Sequence, residues 1–177
     1  SGAKKIVVGD PADEKTTMGP VISAIHREKV EGYIKSGVED GAKLVMGGQR
    51  PAQPPLDKGF FISPTVFTGV TQNMKIAREE IFGPVVCVLK FSSDDEVINF
   101  ANDSSYGLAA YIWTKNIPRG IKMGNRIRAG SIGINGSAIG AEYPWGGFKE
   151  SGLGKECSLL GMDEYIQQKL ISFDIGR

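Results

Sequence analysis

The sequence predicts an α/β fold, a three-layer parallel sheet with crossover helices of which this chain carries an incomplete part. Three observations predict it. Val85-Val86-Cys87-Val88-Leu89 is a continuous apolar run, mostly β-branched, of the kind buried on both faces of a parallel sheet. Residues 85–134 read as strand, helix, strand, helix, strand, with helices of about ten residues between short apolar strands, which is what crossover connections need. A chain of 177 residues with 41% hydrophobic and 23% charged side chains has apolar material for one core.

The elements follow in order. After Gly19-Pro20, the side chains Ile22, Ile25, Val30, Tyr33, Ile34 and Val38 fall on one helical face, and Gly41 ends that helix. Lys43-Leu44-Val45-Met46 before Gly47-Gly48 reads as a short strand, and residues 49–58, with Pro51, Pro54 and Pro55, as an exposed loop. Phe60-Phe61-Ile62 and Thr65-Val66-Phe67 are extended pieces interrupted by Pro64, and residues 79–84 form a turn before the 85–89 strand, which makes Cys87 a core residue. Ser93-Asp94-Asp95-Glu96 is a capping box that starts a helix with Val97, Phe100 and Ala101 on its apolar face, ended by Tyr106-Gly107. A strand over 108–113, a helix over 117–129 with Gly130 beyond its end, and a strand over 131–134 complete the alternation. Residues 135–155 form a long Gly-rich loop, 159–165 a short helix, and 169–175 a last strand with Ile171, Phe173 and Ile175 along one side.

Composition narrows the function. Lys and Arg number 21 against 20 Asp and Glu, a formal net charge of +1, so nothing draws the chain to nucleic acid or an anionic membrane. No apolar run reaches the length of a bilayer span, and Ser1-Gly2-Ala3-Lys4-Lys5 lacks the pattern of a signal peptide, so the start reads as a cloning scar or a truncation rather than a biological signal. Cys87 and Cys157 show no local pairing pattern, which suits a reducing, cytoplasmic setting. The single histidine, His26, leaves no two-histidine metal site and no evident Ser-His-Asp triad, and no metal is expected.

Four features invite a chemical reading. The loop from Trp145 to Lys155 resembles a phosphate cradle in composition, but Leu153, not Lys, follows Gly152, and Cys157 stands where a dinucleotide fingerprint has its third glycine; tight turns past other chain segments are the better account. Glu79-Glu80 beside Phe82 and Gly83 is either a solvated corner or a carboxylate and a ring able to hold a ribose diol and flank a flat heterocycle. His26, among Arg27, Glu28 and Lys29, reads as a surface residue. Cys157 lies near a helix start with no histidine close in sequence, so it reads as a structural thiol, with an independent thiol enzyme as the weaker reading.

Taken together, the motifs resemble NAD(P)-dependent aldehyde dehydrogenases. Gly9-Asp10-Pro11, Met18-Gly19-Pro20, Gly59-Phe60-Phe61-Ile62-Ser63-Pro64-Thr65-Val66, Glu79-Glu80-Ile81-Phe82-Gly83-Pro84, Asn102 with Tyr106-Gly107-Leu108-Ala109, Gly130 with Asn135, and Pro144-Trp145-Gly146-Gly147-Phe148-Lys149-Glu150-Ser151-Gly152 stand in the family's order. What is matched is the C-terminal part of the catalytic domain, residues 1–165, with the oligomerisation strand in 166–177. The resemblance implies a thioester mechanism on a cysteine in a Gly-Gln-x-Cys setting, with a general-base Glu and an oxyanion-binding Asn, none of which this chain contains. Neither Cys87 nor Cys157 matches that nucleophile, so no catalytic residue is assigned and the chain alone is expected to be inactive.

By the same resemblance, Glu80 holds the nicotinamide ribose and Phe82 lies beside the nicotinamide. Trp145 lines the aldehyde tunnel, the loop 136–143 shapes its mouth, and Glu142 there favours a cationic or hydroxylated aldehyde. Lys149 and residues 151–154 position their loop. The cofactor is NAD or NADP in the complete enzyme, with none expected on this piece alone. The partners are an aldehyde and further copies in a homo-oligomer. The competing reading is a non-catalytic assembly module that kept the sheet and the terminal strand.

Overall fold

The structure is a computed structural model that describes residues 2–136 and 140–176. It divides into two compact units, Ser1–Lys90 and Phe91–Arg177.

In the first unit, Ser23 caps helix α1 (Ala24–Glu39) by accepting from the His26 amide. The helix begins later than its apolar pattern suggests. Ile22 and Ile25 are 85% and 80% exposed and Val38 lies half outside, while Val30, Tyr33, Ile34 and Gly37 carry the buried face. Gly37 is needed there, because a Cβ would come within 2.8 Å of Ile76 Cδ1 and 3.2 Å of Phe67. Strand β1 (Lys43–Met46) pairs antiparallel with β2 (Thr65–Thr68), with a register irregularity between Leu44 and Met46. Phe60-Phe61-Ile62 forms no strand; Ile62 is buried instead as a single anchor. A single turn of helix, α2 (Lys75–Arg78), was not legible in the sequence and brings Ile76 into the core. Strand β3 (Val85–Cys87) then pairs parallel with β2.

The core of this unit gathers Val30, Tyr33, Ile34, Ile62, Phe67, Ile76 and Ile81, with Cys87 packed against it. Complete burial of Phe67 and Val30 contributes roughly 1.5–3 kcal/mol each. The expectation that 85–89 is buried on both faces is corrected. Val85 and Cys87 pack against the core on one face of β3, whereas Val86, on the other face, is exposed. Burial does raise the Cys87 thiol above its ordinary range.

The second unit opens with α3 (Asp94–Asn102), whose cap Ser93 accepts from the Glu96 amide while the Glu96 carboxylate reaches back to the Ser92 amide and hydroxyl. Its buried residue is Ile98, with Phe100 and Val97 half-buried, and it ends at Asn102 rather than at Tyr106. A two-residue strand follows the helix, β4 (Tyr106–Gly107), which will meet a late partner, and the four-residue β5 (Ala109–Ile112) leads into α4 (Ile117–Gly124) and β6 (Ser131–Ile134). β5 and β6 pair in parallel, Ala109 opposite Ser131 through Ile112 opposite Ile134, so the connection between them is the expected crossover. Gly120 and Gly124 sit four apart on α4 and let it lie against Ile134 and Ile132. Arg119 grips Asp94 with two nitrogens and Arg126 reaches Asp95 at 2.7 Å, tying α4 to α3.

The late partner of β4 is β7 (Phe148–Lys149), and α5 (Ser158–Met162) follows it. The α/β class therefore holds, with parallel pairs β2–β3 and β5–β6 in separate ladders rather than one continuous array. No strand forms over 169–175 in the single chain. Leu170, Ile171, Phe173 and Ile175 are at least 76% exposed, and no backbone ladder engages them.

Candidate functional site

The turn before β3 alternates anchors and free side chains. Glu79 accepts a hydrogen bond from the Tyr33 hydroxyl at 2.8 Å, Ile81 is buried, and Gly83 lies so close under α1 that a Cβ would stand 2.7 Å from Val30 Cγ2. The residues between them face outward. Among the described residues nothing hydrogen-bonds or ion-pairs the Glu80 carboxylate, and the Phe82 ring is 73% exposed. Phe82 holds φ at +55°, a region that bulky side chains seldom adopt, and its carbonyl accepts from His26 Nε2 at 2.8 Å. The pair of glutamates is thus divided: Glu79 is structural, and Glu80 is the carboxylate available to a ligand. A carboxylate with open lone pairs accepts both hydroxyls of a ribose diol, and an exposed ring two residues away flanks a planar heterocycle.

Trp145 belongs to the second unit. Its amide and carbonyl pair with those of Glu156, at 2.8 and 2.6 Å, which fixes the indole-bearing residue at a single antiparallel bridge. With Tyr143, Pro144, Ala141, Ser131 and Cys157 it lines a largely apolar cleft of about 330 Å³. Of the expected tunnel-mouth loop 136–143, residues 137–139 lie outside the described residues. Cys157 is exposed and caps α5 with φ at +58°. No histidine stands near it in sequence, the chain's single histidine being His26.

The glycine-rich loop is a backbone packing device. A Cβ on Gly130 would stand 1.8 Å from the Gly146 carbonyl oxygen, and one on Gly146 would stand 2.4 Å from that of Gly154. Lys149 donates to the carbonyls of Asn102 and Ser104, both at 2.9 Å, and the Ser151 hydroxyl accepts from the Gly107 amide. The Asn102 side chain closes the corner by accepting from the Arg128 amide and donating to the Arg126 carbonyl. No group of three or more His, Cys, Asp and Glu able to hold a metal occurs among the described residues, and none of their helices is long and apolar enough to cross a membrane.

Sequence reasoning missed His26 and Tyr33. His26, Val30 and Tyr33 follow one another at the i, i+4, i+7 spacing of one helical face, which was the available signal.

The first unit thus offers an exposed carboxylate and ring on a backbone-clamped turn, and the second an aromatic cleft beside a glycine-packed loop. The sequence model of the aldehyde dehydrogenase family matches residues 1–171, and the chain belongs to that family. It is 50% identical over 174 residues to a betaine aldehyde dehydrogenase of Mesorhizobium japonicum, covering 98% of this chain and 36% of the relative. The betaine aldehyde dehydrogenase of Brucella melitensis biotype 2 is 50% identical over 175 residues with the same coverage. Among solved structures, an aldehyde dehydrogenase of Mycobacterium tuberculosis complexed with NAD+ superposes with a TM-score of 0.93 at 46% identity, over 99% of this chain and 36% of that one. Betaine aldehyde dehydrogenase of Staphylococcus aureus in complex with NAD+ gives 0.89 at 42% identity, over 93% and 33%. The chain spans about a third of the length of the relatives it matches.

Proposed function

We propose that this chain is the C-terminal part of the catalytic domain of an NAD(P)-dependent aldehyde dehydrogenase, which oxidises an aldehyde to a carboxylic acid through a thioester on a cysteine outside these residues. The observation that carries the reading is the alternation at 79–83, where three anchored residues leave Glu80 and Phe82 free and outward. Glu80 accepts hydrogen bonds from the nicotinamide ribose, and Phe82 packs beside the nicotinamide. A bound nicotinamide dinucleotide supplies the acceptor for the hydride released from the aldehyde carbon. Trp145 and Tyr143 give the aldehyde an aromatic wall. Two ring faces with Glu142 adjacent in sequence suit an aldehyde bearing a quaternary ammonium, in keeping with the betaine aldehyde dehydrogenases that the chain matches at 50% identity. The two free thiols fit a cytoplasmic enzyme.

A second role, assembly, is favoured by the tail over 166–176, whose apolar side chains are exposed and whose backbone has no ladder. The test of the catalytic reading is NADH formation at 340 nm with an aldehyde panel that includes betaine aldehyde. The complete reading frame is expected to turn over, with Glu80→Gln raising KM for NAD about tenfold, the order of a lost charged hydrogen bond. The 177-residue chain alone is expected to be silent. Turnover by that chain that survives Cys157→Ser, or a complete protein that binds no nicotinamide dinucleotide, overturns it.

A further inference from the structure

Phe82 is the least comfortable residue of the turn it sits in. A bulky side chain at φ +55° costs on the order of 1 kcal/mol or more, so something must hold it there. Ile81 and Gly83 fix the chain on either side, but neither hydrogen-bonds the Phe82 carbonyl. The one hydrogen bond to its carbonyl, among the described residues, comes from His26 Nε2 at 2.8 Å, and the imidazole also lies against the Phe82 ring, centroids 6.3 Å apart and planes tilted by 37°. His26 shares the helical face of Val30 and Tyr33, so α1 is a template on which residues 79, 82 and 83 are all set.

We propose that His26 is a positioning residue for Phe82. Its bond to the carbonyl keeps the backbone left-handed, which turns the ring outward, and it thereby sets the affinity for the nicotinamide end of the dinucleotide without being one of its ligands. The inference rests on the role given above to Glu80 and Phe82. Replacement by phenylalanine removes the donor and keeps a ring. Replacement by glutamine loses the ring and keeps an N–H at similar reach.

The experiment is a set of NAD titrations by protein fluorescence on the complete protein carrying His26→Phe, His26→Gln, Phe82→Ala or His26→Phe with Phe82→Ala. His26→Phe is expected to weaken binding roughly fivefold, the order of one hydrogen bond, and His26→Gln to stay within about twofold of the unaltered protein. The double variant is expected to match Phe82→Ala alone, since His26 acts only through Phe82. A His26→Phe change that leaves the Kd within twofold while Phe82→Ala weakens it overturns the proposal, as does a penalty that adds in full to that of Phe82→Ala.

A second measurement separates this from the function it rests on. In the 177-residue chain, His26→Phe should speed amide hydrogen exchange across residues 79–85, and His26→Gln should not. Unchanged exchange overturns the clamp whatever the ligand. Faster exchange in a complete protein that binds no NAD sustains the clamp and overturns its use for the dinucleotide.

Discussion

The Lys149 ammonium donates to the main-chain carbonyl of Asn102 at 2.9 Å, across 47 residues of sequence, and to that of Ser104 at the same distance. Those carbonyls lie at and just beyond the C-terminal end of α3, where a helix leaves its acceptors unpaired, so a cation is doubly favoured. Lys149→Met keeps the stem and removes the donors. The expected loss is about 2 kcal/mol in urea unfolding. Both tryptophans, Trp113 and Trp145, belong to the second unit, so their fluorescence reports the unit concerned. An unshifted urea midpoint would remove Lys149 from the account of this corner.

Two glycines should respond in opposite directions. Gly130→Ala drives a methyl group to 1.8 Å from the Gly146 carbonyl oxygen, backbone that cannot step aside, and should cost more than about 3 kcal/mol or abolish folding of the second unit. Gly32, inside α1, has nothing within 4 Å of a Cβ, and Gly32→Ala should stabilise by roughly 0.5–1 kcal/mol. Thermal unfolding by circular dichroism reads both, and equal shifts would show that close packing is not what selects glycine at 130.

What the sequence disclosed depended on whether a signal was local. The cap at Ser93 and the strands over 85–87, 109–112 and 131–134 were legible because capping chemistry and short apolar runs act within a few residues. The face of α1 was partly misread. Ile22 and Ile25 have the right spacing but no partner in this chain, and burial is decided by partners. α2 is one turn long, too short to show a period of 3.6, and the β4–β7 pair is two residues on each side, set by Lys149 and Ser151 from a distance. The residues themselves left Glu79-Glu80 with Phe82 as either a solvated corner or a ligand-holding pair, family resemblance singled out Glu80, Phe82 and Trp145, and the division of labour between Glu79 and Glu80 needed the Tyr33 hydroxyl to be seen.

The tail sets an expectation about assembly. Ile171, Phe173 and Ile175 expose their side chains and offer an unpaired backbone, so edge pairing with a second copy hides both at once. Size-exclusion with light scattering at low micromolar concentration should show a defined oligomer that Phe173→Glu dissociates. A sharp 19.0 kDa species that persists on concentration would leave the tail without this role.

Acid should loosen the α3–α4 contact. The hydrogen bond from Arg119, more than any other influence, holds the Asp94 carboxyl below its ordinary value of 3.8. A carboxyl that titrates lower when folded than when unfolded contributes in full above the unfolded value, and that contribution is lost as pH falls through the folded one. The melting temperature should therefore fall from about pH 5 downward more steeply in the unaltered chain than in Arg119→Met, and the difference should shrink in high salt, as the pair is largely solvent-exposed. Parallel profiles would show that the pair does not contribute.

The alternation in the turn over 79–83 bears on how such an enzyme can change over evolutionary time. Residues 79, 81 and 83 answer to the helix beneath them, and so does the backbone of 82 through His26, whereas the carboxylate of 80 answers only to whatever lies in front. Under the proposed role of the turn, selection for foldability and selection for a ligand separate at 80 and meet at 82, where one backbone serves both. A library randomised at 80 alone should remain almost wholly folded, whereas one randomised at 82 should lose the members that do not tolerate a left-handed backbone there.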